Sequence, residues 1–303
     1  MKNINWSELG FGYFKTDYNV RCEYKDGKWG ELYATEDVNM NIHMASTCLH
    51  YGQEVFEGLK AFRGADGKVR LFRVEENAKR MINSGEYLKM AVPSVELFTK
   101  ACIEAVKLNA DYIPPYGSGA SLYLRPMLIG VGPQVGVKPS ADYLFAVFVT
   151  PVGPYYKDGF NCIKVIIDYD HDRAAPKGTG HVKVGGNYAA SLDSGEIAHQ
   201  KGFASVIFLD PATKQYIDEC SAANFFGIRD GKYITPDSHS VLPSITNKSL
   251  RQIAEDLGLK VEQRKVGVEE LPTFSEAGCC GTAAVISPIG SVYDPKTDKT
   301  IVY

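Results

Sequence analysis

Between Val152 and Gly180 the chain changes character, and that change constrains the fold more than any other feature. The stretches "GPYYKDGFNC" and "DYDHDRAAPKGTG" are rich in Pro, Gly, Asp and Lys, with the apolar run "IKVIID" between them. Such composition favours loops over packed elements, so the region reads as a connection with flexible flanks. At 303 residues the chain is long enough for a domain on either side of it. The expected organisation is an N-terminal domain over 1–152, a connection over 153–180 and a C-terminal domain over 181–303.

Short apolar runs bounded by turn signals dominate both halves. Hairpins are expected around Lys25-Asp26-Gly27 and Ala65-Asp66-Gly67. "VEENAKRMINSGEYLKM" is amphipathic from Val74, and a second helix starts at the N-cap Ser94 with Glu96 in its first turn. "SLYLRPMLIG" and "YLFAVFVTPVG" read as apolar strands. In the second half one helix is expected from about Tyr188 to His199 and another from about Thr246 to Gly258. The strands "ASVIFLD" and "YIDEC" and the hairpin "ANFFGIRDGKYITP" lie between them. Strands outnumber helices, which predicts an α+β chain rather than a doubly wound one.

Composition removes several classes of function. A net charge of −3 leaves no basic footprint for nucleic acid or an anionic membrane. No apolar run is long enough to span a bilayer, and "MKNINWSELGFGYF" lacks the apolar core of a signal peptide. The seven scattered cysteines are odd in number and contain no CxxC pair, which argues against a disulfide framework. The histidines show no HxH or HExxH spacing, so no metal site is expected. A cytoplasmic enzyme or binding protein is the expectation.

The stretch "GTGHVKVGGNY" places one lysine, Lys183, among glycines. It is not a Walker loop, because Val184 follows the lysine, and it lacks the third glycine of a dinucleotide fingerprint. A lysine flanked by Val182 and Val184 can lose hydration of its ammonium form and act as a nucleophile, or it can simply be solvated in a loop. Pyridoxal phosphate would need more than that lysine. Its phosphate needs amides at a helix start and a cation, and its ring nitrogen needs an acid partner. Ile245 and Thr246 open the helix after Pro243, Arg80 and Arg125 are candidate cations, and Glu219 ends a strand. "CGTAAVISP" supplies a second amide cup around Thr282. Each also reads as an ordinary cap, surface charge or strand-end acid.

Six blocks in order carry a resemblance: "LHYGQEVFEGLKAFRG", "VRLFRVEENAKRM", "SLYLRPMLIGVGPQVGV", "KVGGNYAASL", "DECSAANFF" and "VLPSITNKSL". Over nearly its whole length the chain resembles the branched-chain amino-acid aminotransferases of the fold-type IV pyridoxal-phosphate family, in the branch that includes the animal enzymes. The resemblance implies a two-domain α+β fold, with a smaller N-terminal α/β domain and a larger C-terminal pseudo-barrel domain. It implies pyridoxal 5'-phosphate as cofactor and Lys183 as the Schiff-base lysine that also shuttles the proton. Tyr188 would donate to the phenolate oxygen and Glu219 would keep the pyridine nitrogen protonated. Arg80 would bind the phosphate, with the Ile245, Thr246 and Thr282 amides. Phe11, Tyr51, Phe56 and Tyr123 would wall the aliphatic side chain, Tyr51 being lent to a partner subunit. Thr282 and Ala283 would hold the α-carboxylate, and Arg125 the distal carboxylate of glutamate.

The implied reaction is reversible amino transfer between leucine, isoleucine or valine and 2-oxoglutarate, in a homodimer with small-molecule partners only. The same lysine and glutamate would serve a D-amino-acid transaminase or an aminodeoxychorismate lyase. Two departures stand out. Where the animal enzymes carry a CxxC pair, this chain has Ala284 and Ser287, so no thiol switch is expected there. The chain also stops at Tyr303, where the family continues through a C-terminal helix, which implies a truncated C-terminus and leaves a cofactor-binding but inactive form as an alternative.

Overall fold

The computed structural model describes residue 2, residues 4–155 and residues 161–303. The chain splits into two compact units, one of residues 1–157 with Val182–Gly185, the other of residues 158–181 with 186–303. The Lys183 segment thus clusters with the first unit, although the sequence on both sides of it clusters with the second.

In the first unit the elements run β1 (Asn19–Lys25), β2 (Lys28–Trp29), β3 (Tyr33–Thr35), α1 (Thr47–Tyr51), β4 (Glu54–Phe56) and β5 (Leu59–Arg63), then β6 (Val69–Leu71), α2 (Val74–Tyr87), α3 (Val95–Leu108), β7 (Ser121–Gly130) and β8 (Tyr143–Val152). The strands form one sheet of order β2-β1-β8-β7-β5-β6, with β3 on β1 and β4 on β7. The first hairpin closes through Asp26 and Gly27, both at positive φ, which matches the twist of the strands they join. Ser94 caps α3 by accepting from the Leu97 amide at 3.1 Å. The two helices bury Ala78, Met81, Phe98 and Ala101 against Val55, Leu59, Leu124 and Phe145. Phe98 stacks on Phe145 at 5.8 Å. Each such large side chain contributes about 1.5–3 kcal/mol of burial.

Strand alternation then decides what the other sheet face carries. Leu59 pairs with Leu124 and faces the helices, so Lys60 and Tyr123, the next pair, face away from them. Phe56 and Glu54 share that away-facing parity on β4, opposite Met127 and Ile129, and Arg125 continues it on β7. Lys60, Tyr123, Phe56, Glu54 and Arg125 are gathered on this face by period alone.

The second unit holds β9 (Ile163–Asp168), α4 (Gly185–Ala189, its first residue clustering with the first unit), α5 (Leu192–Gln200), β10 (Ser205–Leu209), β11 (Ile217–Cys220), β12 (Ala223–Arg229) and β13 (Lys232–Pro236). They are followed by α6 (Ile245–Asp256), β14 (Lys260–Arg264), β15 (Glu276–Gly281), β16 (Val285–Asp294) and β17 (Lys299–Val302). The order β11-β10-β9-β16-β15-β12 is closed by pairing of β11 with β12, giving a six-stranded barrel, with β13 and β14 continuing from β12. Of the stretch expected to connect two domains, residues 156–160 lie outside the described residues. Ile163–Asp168 is the strand β9, parallel to β10 on one side and β16 on the other. A continuous apolar run suits such a doubly paired strand. Tyr188–His199, expected as one helix, is two: α4 ends at Ala189 and α5 starts after Ser191. The Ser191 hydroxyl donates to the Tyr188 carbonyl at 2.8 Å and interrupts the ladder there.

Candidate active site

Lys183 is held from three sides within the first unit. Its amide donates to Ser84 Oγ at 3.1 Å, and its carbonyl accepts from the Phe56 amide at 3.2 Å. Two residues on, the Gly185 amide donates to the Glu54 carboxylate. Val182 and Val184 are sunk into the core beneath, at 1% and 5% exposure. Alternation therefore sends the Lys183 side chain away from that core. Its Nζ lies 4.6 Å from the centroid of the Phe56 ring.

The same ring carries a second cation. The Arg125 guanidinium lies 4.9 Å from the Phe56 centroid and 5.4 Å from that of Tyr123, whose hydroxyl accepts from Nη2 at 3.3 Å. Arg125 Nε is buried without a hydrogen-bond partner. No carboxylate pairs with Arg125 among the described residues. A half-buried guanidinium in that condition is suited to an anionic ligand. Phe11 packs edge-on against Tyr123 at 5.1 Å and Tyr155 at 5.2 Å. Phe11, Phe56, Tyr123, Arg125 and Lys183 are thus brought together.

Arg80 and Tyr51 have other engagements. Arg80 Nε and Nη2 each donate to the Glu57 carboxylate at 2.8 Å, and that carboxylate is fully buried. Asn77 adds a 2.7 Å bond to the same Glu57 carboxylate. A phosphate meeting Arg80 would therefore meet a side chain already fixed in place. Tyr51 is 39% exposed and donates its hydroxyl to the Val135 carbonyl.

In the second unit Glu219 is 4% exposed at the end of β11. Burial pushes its carboxyl above the ordinary range, opposed by the Arg173 guanidinium, which ion-pairs with Oε1. The neighbouring Asp218 is buried too, and its carboxyl is pushed up to about 6. Arg173 also donates to the carbonyls of Gly180 and Ser240, so one guanidinium ties the glycine-rich stretch, the segment before α6 and Glu219 together. Glu219 Oε2 accepts from Asn224 at 2.8 Å, and Asn224 accepts from Asn247 at 3.1 Å. Asn247 is the third residue of α6, whose N-cap Ser244 accepts from the Asn247 amide. Ile245 and Thr246 thus open a twelve-residue helix physically linked to Glu219. Tyr188 lies on α4. Thr282 and Ala283 sit in the tight turn between β15 and β16, which ends at Val285 with φ +58°, a costly conformation for a β-branched residue.

Glu54, Glu57, Arg173, Asn224 and Asn247 were not found from sequence. "GQEVFEG" sets one carboxylate two residues before Phe56 and another just after it, and that spacing was the available signal for Glu54 and Glu57. The other three act through partners remote in the chain.

A lysine and a guanidinium, the latter without a carboxylate partner among the described residues, thus lie over one aromatic ring, and elsewhere a buried carboxylate is tied to a capped helix start. Residues 54–292 match the family described as Amino-transferase class IV, and the chain belongs to that family. It is 52% identical over 299 residues to the branched-chain-amino-acid aminotransferase of Haemophilus influenzae, covering 96% of this chain and 87% of that protein. The crystal structure of the Escherichia coli branched-chain amino acid aminotransferase superimposes with a TM-score of 0.76 at 29% identity, over 92% of this chain and 87% of that one. The branched-chain amino acid aminotransferase of T.th. with pyridoxamine 5'-phosphate gives 0.76 at 26% identity, over 92% and 87%. The fold is therefore the fold-type IV architecture, and the protein is an aminotransferase.

Proposed function

We propose that the protein transfers amino groups reversibly between branched-chain L-amino acids and 2-oxoglutarate with pyridoxal 5'-phosphate. The observation that carries this reading is the Phe56 ring shared by Lys183 at 4.6 Å and Arg125 at 4.9 Å. It sets an amine, an apolar wall and an unpaired cation side by side. A leucine side chain asks for the wall, and the distal carboxylate of glutamate asks for the guanidinium. One pocket must serve both.

The donor set also suits the cofactor. A ring nitrogen needs an acceptor that stays fixed, and Glu219 is clamped by Arg173 on one oxygen and Asn224 on the other. A phosphate needs amides at a helix start, and Ile245 and Thr246 supply them where Ser244 caps the helix. When bound, the cofactor supplies an electron sink for the pair left when the substrate α-proton departs. Lys183 Nζ would take that proton and return it at the other end of the transfer. Tyr188 would donate to the ring oxygen, Arg80 and the Thr282 amide would meet the phosphate, and Thr282 with Ala283 would meet the α-carboxylate.

Among the described residues Met44, Val135 and Val137 stand 81–85% exposed beside Tyr51, and a second copy of the chain is the partner we propose to cover them. All seven cysteines are free, which suits a reducing cytoplasm. No helix among the described residues is long and apolar enough to cross a membrane. The test is a steady-state assay of leucine, isoleucine and valine with 2-oxoglutarate, run on the wild type and on Lys183→Ala. Turnover with at least one of the three, lost in the variant, is the expected result. Full activity of Lys183→Ala would overturn the mechanism.

A further inference from the structure

Glu54 belongs to none of the roles above, yet it touches the segment that carries Lys183. Its Oε1 accepts the Gly185 amide, and a Cβ added at Gly185 would land on that same oxygen. It shares the β4 face with Phe56, and Phe56 in turn holds the Lys183 carbonyl. Burial raises its carboxyl above the ordinary range, while the Gly185 amide and the Arg125 charge oppose that rise. Glu54 is therefore within electrostatic reach of the Arg125 guanidinium, which has no carboxylate partner among the described residues.

We propose that Glu54 is a positioning and specificity-determining residue for amino transfer. Its carboxylate latches the Lys183 segment through the Gly185 amide, and its negative charge weakens the pull of Arg125 on a distal carboxylate. The proposal rests on the reading of Lys183 and Arg125 given above. The physical logic is a counter-charge. A guanidinium without a carboxylate partner in a half-dry pocket would hold a diacid too tightly. A carboxylate nearby, but not in contact, lowers that field without filling the pocket. The same carboxylate accepts a charge-assisted bond from a backbone amide, which is stronger than a neutral one.

Two substitutions separate the two roles. Glu54→Gln keeps an acceptor for the Gly185 amide and erases the charge. Glu54→Ala erases both. In Glu54→Gln, KM for glutamate and 2-oxoglutarate should fall about threefold to tenfold, with KM for leucine and kcat near the wild type. In Glu54→Ala, kcat should fall about tenfold or more for every substrate. Gly185→Ala, which would push the carboxylate aside, should behave as Glu54→Ala does. A readout free of turnover is amide exchange of the apoprotein over residues 182–188, followed by mass spectrometry. Exchange should quicken in Glu54→Ala and Gly185→Ala and stay near the wild type in Glu54→Gln. Wild-type exchange and wild-type KM values in both Glu54 variants would overturn the proposal. So would an equal loss of kcat for all substrates in Glu54→Gln. Lys183→Ala runs alongside: an active Lys183→Ala sinks the reading of the lysine, whereas an inactive one beside silent Glu54 variants sinks only the latch.

Discussion

Phe56 and Lys183 meet twice, once through backbone and once through side chains. The Phe56 amide donates to the Lys183 carbonyl at 3.2 Å, and the Lys183 ammonium lies 4.6 Å from the centroid of the Phe56 ring. The first contact fixes where the lysine's backbone is, and the second fixes where its side chain rests. Phe56→Leu keeps the backbone bond and an apolar surface but removes the ring quadrupole. A cation–π contact in a partly desolvated site is worth about 1–2 kcal/mol. The expected outcome is a fall in kcat/KM of about tenfold with thermal stability nearly unchanged, checked by steady-state kinetics beside a melting curve.

Arg173 and Glu219 form an ion pair in which both side chains are at most 8% exposed. Removing one partner leaves the other charge buried and uncompensated, at a cost of about 3–5 kcal/mol. Arg173→Gln should therefore destabilise the protein at pH 8. The loss should shrink toward pH 5. Burial holds the Glu219 carboxyl above its unfolded value already, and without Arg173 it climbs further, so the folded state binds the proton more readily than the unfolded state. A carboxyl raised in this way favours the folded state below its unfolded pKa and penalises it as pH rises through the folded pKa. Thermal unfolding of wild type and variant at both pH values measures the difference, and a loss independent of pH would contradict the assignment.

What could be read from sequence was local. Ser94 announced α3 because a cap and its target lie three residues apart, and Asp26-Gly27 announced a hairpin because the turn demands positive φ there. Lys183, Phe56, Arg125 and Glu219 were legible as residue types suited to a chemistry. Their mutual support was not legible. Glu54 reaches Gly185 across 131 residues, and Arg173 reaches Ser240 across 67. No window holds both partners, and neither residue looks unusual in its own. The helix expected over Tyr188–His199 failed for a subtler reason. Apolar periodicity continues through Ala189–Ser191, but a hydroxyl that bonds back to a carbonyl outcompetes the helix ladder at one residue.

Glu270 sits between two arginines in the second unit. Arg264 donates to both of its oxygens at 2.8 and 2.7 Å, and Arg229 and the Gly267 amide each add a bond at 3.0 Å. The Arg264 hydrogen bonds lead the effect that draws its carboxyl down to about 2. A depressed carboxyl stabilises the fold above its unfolded pKa, and that stabilisation is lost as pH falls from about 4.5 toward 2. The side chain is 20% exposed, so solvent screening limits the contribution to about 1–2 kcal/mol. Glu270→Gln should lower the melting temperature at pH 7, and the difference should shrink as pH falls toward 2, where the wild type is losing the charge as well.

Asn247 is the residue through which the buried carboxylate and the helix start communicate. Its side-chain nitrogen donates to Asn224 Oδ1 at 3.1 Å and to Thr235 Oγ1 at 2.8 Å, and its oxygen accepts from the Tyr233 hydroxyl at 2.9 Å. Asn224 passes the connection to Glu219 at 2.8 Å. Every member is buried, so water cannot replace a lost partner. Tyr233→Phe removes one donor and leaves one acceptor lone pair unused, at a cost of about 1 kcal/mol. Asn247→Ala orphans the Tyr233 hydroxyl and the Asn224 oxygen together, at about 2–3 kcal/mol. Asn247→Asp should be worse than either, because its carboxylate cannot donate to Asn224 and adds a buried negative charge to the network that already holds Glu219. The ranking Tyr233→Phe, Asn247→Ala, Asn247→Asp is expected in thermal stability. If the network also positions the Ile245 and Thr246 amides, affinity for pyridoxal phosphate should follow the same order in equilibrium titrations of the apoprotein. A stability ranking without an affinity ranking would confine Asn247 to the core of the second unit.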